Sequence, residues 1–145
     1  MPIVKAFQLK DIFSMEYTIR PNNVIEITLY AKDYYSRNSL VIGPGETYRI
    51  ASKKCQYWWD WFIPSSTSGY WNPLALRLGL RVKTAKCFCL CGAYNKDENT
   101  VFEIGTDAVI IAQQNKKFLY FFANDNKKAY WNNWGRIKII VERLS

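Results

Sequence analysis

Between residues 124 and 133 the chain gathers Asn124, Asp125, Asn126, Asn132 and Asn133, a concentration of side-chain oxygens with Lys127-Lys128 in its middle. A hard cation such as calcium takes six to eight oxygens from carboxylates, amide groups, backbone carbonyls and water. The same residue types are ordinary turn formers, because their side chains accept local backbone hydrogen bonds and tolerate positive φ. Composition leaves both readings open. A second stretch, Gln56-Tyr57-Trp58-Trp59-Asp60-Trp61-Phe62-Ile63-Pro64, continues to Gly69-Tyr70-Trp71 and holds most of the tryptophans. Trp58 and Trp59 are adjacent, so an extended chain points them to opposite sides. One is expected in the core and the other at the surface. An exposed indole stacks on the apolar face of a sugar or on a base. Alternatively all of these rings pack, with their N–H groups capped by Asp60 or by backbone.

What the chain lacks is equally informative. It has no histidine, which removes Ser-His and Cys-His nucleophile pairs, His zinc ligands and the usual base poised near neutrality. None of its seven glycines falls in a GxGxxG or P-loop pattern, so a nucleotide site of either type is not expected. Glycoside hydrolysis needs two facing carboxylates, and only Asp60 and Asp125 can be placed near one loop end. The expectation is a protein that is not an enzyme. Cys87, Cys89 and Cys91 recur at every second residue. On a strand that spacing puts all three on one face, too far apart for easy disulfides. CxCxC also lacks the paired CxxC of zinc ribbons, so a buried row of reduced cysteines is expected. The net charge of +8 admits nucleic acid, lipid headgroups or acidic glycans as partners. The basic residues are scattered, however, and read as solvated faces and protected strand edges. Nucleic-acid binding is accordingly a minor reading.

These residues must be positioned by strands. Ile25, Ile27 and Leu29 alternate with polar neighbours, as do Tyr48 and Ile50, Leu76, Leu78 and Leu80, and Ile137, Ile139 and Val141. Period two is the mark of a half-buried strand. Further strands are expected at Ile3 to Leu9, Lys86 to Cys91, Val101 to Ile104, Ala108 to Ala112 and Phe118 to Ala123. Turn signals at Pro21-Asn22-Asn23, Gly43-Pro44-Gly45, Ser65 to Gly69 and Asn95 to Asn99 separate them. No linker, repeat or long helical stripe interrupts the pattern. A single all-β domain over residues 1–145 is expected, with about eight to ten strands in a sandwich or barrel. The start, MPIVKAFQLKDIF, carries too many polar residues for a signal peptide or membrane helix. A cytoplasmic location, or secretion without a cleaved signal peptide, is expected.

The stretch from Asn124 to Gly135 resembles the signature of the PA-IL-like calcium-dependent galactose-binding lectins. That signature is N-D, four residues, Y, one residue, N-N, one residue, G. Here it reads Asn124-Asp125, Tyr130, Asn132-Asn133 and Gly135. Gly43-Pro44-Gly45-Glu46 with its following strand, Trp59-x-Trp61-x-Ile63-Pro64 with Gly69-Tyr70, and Phe102-x-Ile104-Gly105 resemble a divergent bacterial branch of the same architecture. That branch also carries F-A-N-D, as in Phe122 to Asp125. The resemblance implies a galactose-binding-like jelly-roll β-sandwich of two antiparallel sheets. It implies calcium ligands at the Asp125 carboxylate, the Ala129 carbonyl, and the Asn132 and Asn133 side chains, with a further carbonyl near Trp58. Two vicinal hydroxyls of galactose would complete the ion's shell, with Asp125 and Asn132 touching the sugar. The family's sugar-contacting His and Gln have no counterpart in the corresponding loop, Ser65 to Gly69. Together these readings lead to a non-catalytic carbohydrate-binding, lectin-like module. Its sugar-contacting residues are expected to be Asp125, Asn132, Trp58, Trp59 and Asp60, its cofactor calcium, and its partner a glycan or glycoconjugate. Homo-oligomerisation stays open. The alternative is a protein-interaction or structural β-sandwich subunit whose sugar site has lapsed.

Overall fold

The computed structural model describes residues 14–74 and 79–145. Among these residues the chain runs through twelve short strands: β1 (Met15–Tyr17), β2 (Val24–Tyr30), β3 (Asn38–Val41), β4 (Thr47–Ser52), β5 (Trp58–Asp60), β6 (Ile63–Ser65), β7 (Leu90–Tyr94), β8 (Phe102–Glu103), β9 (Asp107–Ile111), β10 (Phe118–Ala123), β11 (Asn133–Trp134) and β12 (Arg136–Arg143). Two sheets form the sandwich, one in the order β1-β3-β10-β7-β8 and the other β2-β12-β4-β9. Every pairing within them is antiparallel except β1 with β3, which is parallel. The expected all-β sandwich is therefore present. The expected strand at Ile3 to Leu9 lies outside the described residues, as do Leu76 and Leu78.

The alternating sequences explain the inner faces. In β12, Ile137, Ile139 and Val141 are buried while Arg136 and Lys138 are exposed; in β2, Ile27 and Leu29 turn the same way. They join Tyr48 and Ile50 of β4, and pack with Leu40, Leu119, Phe121 and Leu90 of the facing sheet in one apolar cluster. Burial of such side chains contributes about 1.5–3 kcal/mol each. β7 is different, being buried at every position. Its second face, with Cys89, Cys91 and Ala93, packs with Phe122, Val82 and Ala85 in a separate cluster. The five-stranded sheet is thus covered on both sides over β7 and β10, and a strand without a polar face has no period to read.

Three details differ from the sequence expectation, the first being twelve strands among the described residues against the eight to ten expected. A third sheet, β11-β5-β6, sits beside the sandwich; its strands are two or three residues long, too short to leave an alternating pattern. The three cysteines do not share one face. Phe88 adopts the left-handed conformation (φ 63), which turns the chain between them. Cys87 joins the main core while Cys89 and Cys91 enter the second cluster. All three are buried and unbridged.

Candidate functional site

The oxygen-rich stretch follows β10 directly. Asn124 is fully buried, and its side chain is spent on backbone: Oδ1 accepts from Val82 N (2.9 Å), and Nδ2 donates to the carbonyls of Val82 (3.0 Å) and Lys86 (3.0 Å). Asn126 closes a turn, accepting from Lys128 N (3.0 Å) and donating to Gly79 O (3.0 Å). These two are the turn formers that composition allowed for. A 3-10 turn, Tyr130–Asn132, then leads into β11, where Asn133 is paired with Asp60 of β5.

Asp125 and the asparagine pair behave differently. Asp125 is buried; its Oδ1 accepts from Asn126 N (2.7 Å) and its Oδ2 from Asn133 Nδ2 (3.0 Å). The Asn133 amide also donates to Ala31 O (3.4 Å). Both neighbours are acceptors, so the amide must turn its nitrogen to them and its oxygen away. Asn133 Oδ1 and Asn132 Oδ1 are both sealed from solvent without a hydrogen-bond partner. An unpaired buried polar atom costs about 1–3 kcal/mol, so two side by side in one loop are conspicuous. Burial pushes the Asp125 carboxyl up to about 6, against the pull of its Asn133 and Asn126 donors, with the charge of Asp60 adding to the rise.

Asp60 comes from the other stretch. One of its carboxylate oxygens accepts from Tyr70 Oη (2.5 Å), and the ligand atoms of Asp60, Asp125 and Cys87 all lie within 4.8 Å of one another. Burial lifts the Cys87 thiol to about 12, partly offset by the hydrogen bond from Tyr70. Cys87 therefore stays a neutral thiol near neutrality, and a soft-metal thiolate site is disfavoured. What remains at the cleft is two carboxylates and the unpaired Asn132 oxygen, with the Asn133 oxygen behind it, donors of the kind a hard divalent cation takes.

The cluster opens into a cleft of about 280 Å³ lined by Asp60, Asp125, Asn126, Ala129 and Asn132 on the polar side and by Trp61, Phe62, Ile63 and Leu74 on the apolar side. Trp61 and Phe62 form the two-residue turn between β5 and β6, stacked with ring centroids 4.8 Å apart. Trp61 has φ 56, an uncommon conformation for so bulky a residue. Its N–H donates to Asn132 O (3.1 Å) and its carbonyl accepts from Trp134 Nε1 (2.7 Å), which ties the hairpin to the oxygen loop.

The sequence-expected residues thus divide. Asp125, Asn132, Ala129 and Asp60 line one cleft, and Asn133 bonds to Asp125 behind it. Trp58 has no accessible surface; it packs edge-to-face on Phe88 and donates to Phe88 O (3.1 Å). It is the core member of the adjacent pair and cannot touch a sugar. Trp59 is half-buried, stacked flat on Trp134 at 4.9 Å, outside the cleft lining. Gly135 of the signature has φ 89, and a Cβ there would stand 3.2 Å from Trp59 Cδ1, so both backbone and space demand glycine. Sequence reasoning did not single out Trp61 and Phe62 as the cleft's aromatic wall. The only available signal was their place after Asp60 in the aromatic run.

No protein-family model matches the chain, and no curated protein does. A solved structure described as "EclA N-terminal domain; PllA-like lectin" matches with a TM-score of 0.59 at 17% identity, covering 83% of this chain and 98% of that one. The likeness establishes a lectin-like β-sandwich fold.

Proposed function

We propose that this chain is a non-catalytic carbohydrate-binding module whose cleft holds calcium and a saccharide together. The observation that carries the reading is the unpartnered buried Asn132 Oδ1 on a cleft that Asp125 and Asp60 also line, with Asn133 Oδ1 likewise unpartnered behind it. Asp125, Asn132 and Asn133, with the Ala129 carbonyl and Asp60 at the same cleft, would hold the ion. Bound calcium would supply a positive centre able to take two vicinal hydroxyls in place of water. The chain's own residues do the rest. Asn133 orients the Asp125 carboxylate through its amide, Tyr70 orients Asp60, and Trp61 and Phe62 present apolar rings to the face of a pyranose. The lectin-like fold of the structural neighbour supports the same reading.

The test is calcium titration by calorimetry, followed by glycan-array binding with calcium and with chelator. The array should show glycan binding that chelator removes, and no reducing ends should be released. Glycan arrays blank in calcium, together with absent calcium heat, would retire the proposal. Asn132→Ala removes an acceptor that the ion-free fold leaves unpaired. It should therefore leave ion-free stability unchanged or slightly higher, while calcium affinity falls more than tenfold. Equal loss of stability and affinity would show an ordinary structural role instead. Trp61→Asn places a residue tolerant of positive φ at the hairpin turn. Sugar affinity should drop about tenfold, the order expected for one lost ring contact, with the melting temperature held.

A further inference from the structure

Next to the calcium cleft lies a larger groove of about 740 Å³, and three residues, Asn126, Ala129 and Asn132, line both. The groove's other walls include Lys83, Lys127, Lys128 and Trp131, with no carboxylate among its lining residues. None of the three lysines forms an ion pair with a described residue. Trp131 is 78% exposed, and the lysine stems add apolar surface to its ring. The groove is also built rather than accidental in its placement. The Asn126 side chain caps Lys128 N and grips Gly79 O (3.0 Å each), so the turn carrying Lys127 and Lys128 is held against the opposite wall.

Three ammonium groups beside a divalent-cation site are a liability for a neutral ligand, because like charges raise the cost of holding the ion. An anionic ligand reverses the sign of that interaction. We propose that the groove receives the carboxylate or sulfate of an acidic saccharide whose neighbouring ring occupies the calcium cleft. The anion would lie among Lys83, Lys127 and Lys128, with the indole of Trp131 against the sugar's apolar face. This specificity rests on the calcium-bridged sugar reading above and adds to it the chemical class of the glycan.

The experiment compares a galactoside carrying one sulfate with the same galactoside lacking it, by calorimetry, with saturating calcium and with chelator. With exposed ion pairs contributing modestly each, wild-type protein should prefer the sulfated sugar about tenfold at about 50 mM salt. The preference should shrink at about 500 mM salt through screening. In the triple variant Lys83→Gln, Lys127→Gln, Lys128→Gln the affinity ratio should fall to about one, and calcium measured without sugar should bind more tightly. Calcium-dependent binding of both sugars with equal affinity in the wild type overturns the acidic-glycan inference and leaves the lectin reading standing. A single-stranded oligonucleotide displacing the sulfated sugar at equal charge also overturns it, since the groove would then be a general polyanion site. Binding of the sulfated sugar undiminished by chelator supports the groove and sinks the calcium reading. If neither sugar binds, both fall.

Discussion

Asp125→Asn should abolish the rise in melting temperature that millimolar calcium is expected to produce in the wild-type protein. The carboxyl is raised from 3.8 to about 6, chiefly by burial. Its folded-state value lies above its unfolded one, so the ion-free fold binds more protons than the unfolded chain between about pH 4 and 6. Stability of the ion-free protein is therefore fullest below about pH 4 and declines as pH rises through 6, by about 3 kcal/mol in all. On the proposed reading calcium would replace the proton and reverse that loss. At about 100 times its dissociation constant the ion adds about 2.7 kcal/mol, roughly 8 °C for a chain of this size. Below pH 6 the proton competes, and calcium affinity falls by up to tenfold per pH unit. Asn loses the charge but sets an N–H against one of the two donors that the carboxylate accepts from, Asn126 N or Asn133 Nδ2, so the variant should melt near or below the ion-free wild type at pH 7.5 and ignore calcium throughout. Scanning calorimetry at about pH 5 and 7.5, with calcium and with chelator, reads all of this. A variant that still gains stability from calcium would place the ion elsewhere.

The second large effect lies behind the site. Arg81→Met should cost about 3–5 kcal/mol, the usual consequence of breaking a buried ion pair by removing one partner. The Arg81 side chain has no exposed surface. It meets Glu98 through two parallel bonds of 2.7 and 3.0 Å, and its third nitrogen donates to Tyr34 O (2.6 Å) and Tyr130 Oη (2.8 Å). The guanidinium lies 3.7 Å from the Tyr34 ring centre and 3.6 Å from that of Phe122. Tyr130, the signature's tyrosine, in turn donates to Ala123 O (2.5 Å), and Arg81 N donates to Asp125 O (3.2 Å). The arginine thus anchors the oxygen loop from beneath without facing the cleft. Arg81→Lys should recover little, since a point charge cannot reproduce the planar fork or the stacking. Glu98→Gln should cost a comparable amount, because it leaves the buried Arg81 charge without its counter-ion and turns an amide N–H toward one of the arginine's donors. Urea unfolding measures each. An Arg81→Met midpoint within about 0.5 kcal/mol of wild type, the range of ordinary surface changes, would show that the box is not a keystone.

The two sheets and the oxygen loop were legible to different depths. β10 was readable to the residue, Phe118 to Ala123, because dense aromatic and aliphatic residues end at Asn124. β2 and β12 were readable because each has one wet face. β7 begins four residues and ends three residues beyond the expected Lys86 to Cys91, since burial on both faces erased the alternation and the left-handed Phe88 broke the cysteine row. At the site, Asp125, Asn132 and Asn133 were singled out by the resemblance to the lectin signature, while composition left the stretch open between an ion site and a turn. Nothing in their types distinguished them from Asn124 and Asn126, whose oxygens go to backbone donors that arrive from residues 82 and 128. Of the adjacent pair Trp58 lies in the core and Trp59 is half-buried against Trp134, while the cleft's rings are Trp61 and Phe62, with Trp61 at a positive φ that no pattern of bulky residues announces.

Hydrophobic alternation, turn chemistry and the absence of histidine by themselves determined an all-β chain with an oxygen-rich loop and no conventional catalytic base. Those properties depend on near neighbours along the chain, so they are written locally. Which oxygens are spent and which are left over was decided only by tertiary structure. So were the meeting of Asp60 with Asp125 and the basic groove beside them. Each depends on hydrogen bonds and contacts between segments tens of residues apart, and the closing of those loops is a property of the folded whole.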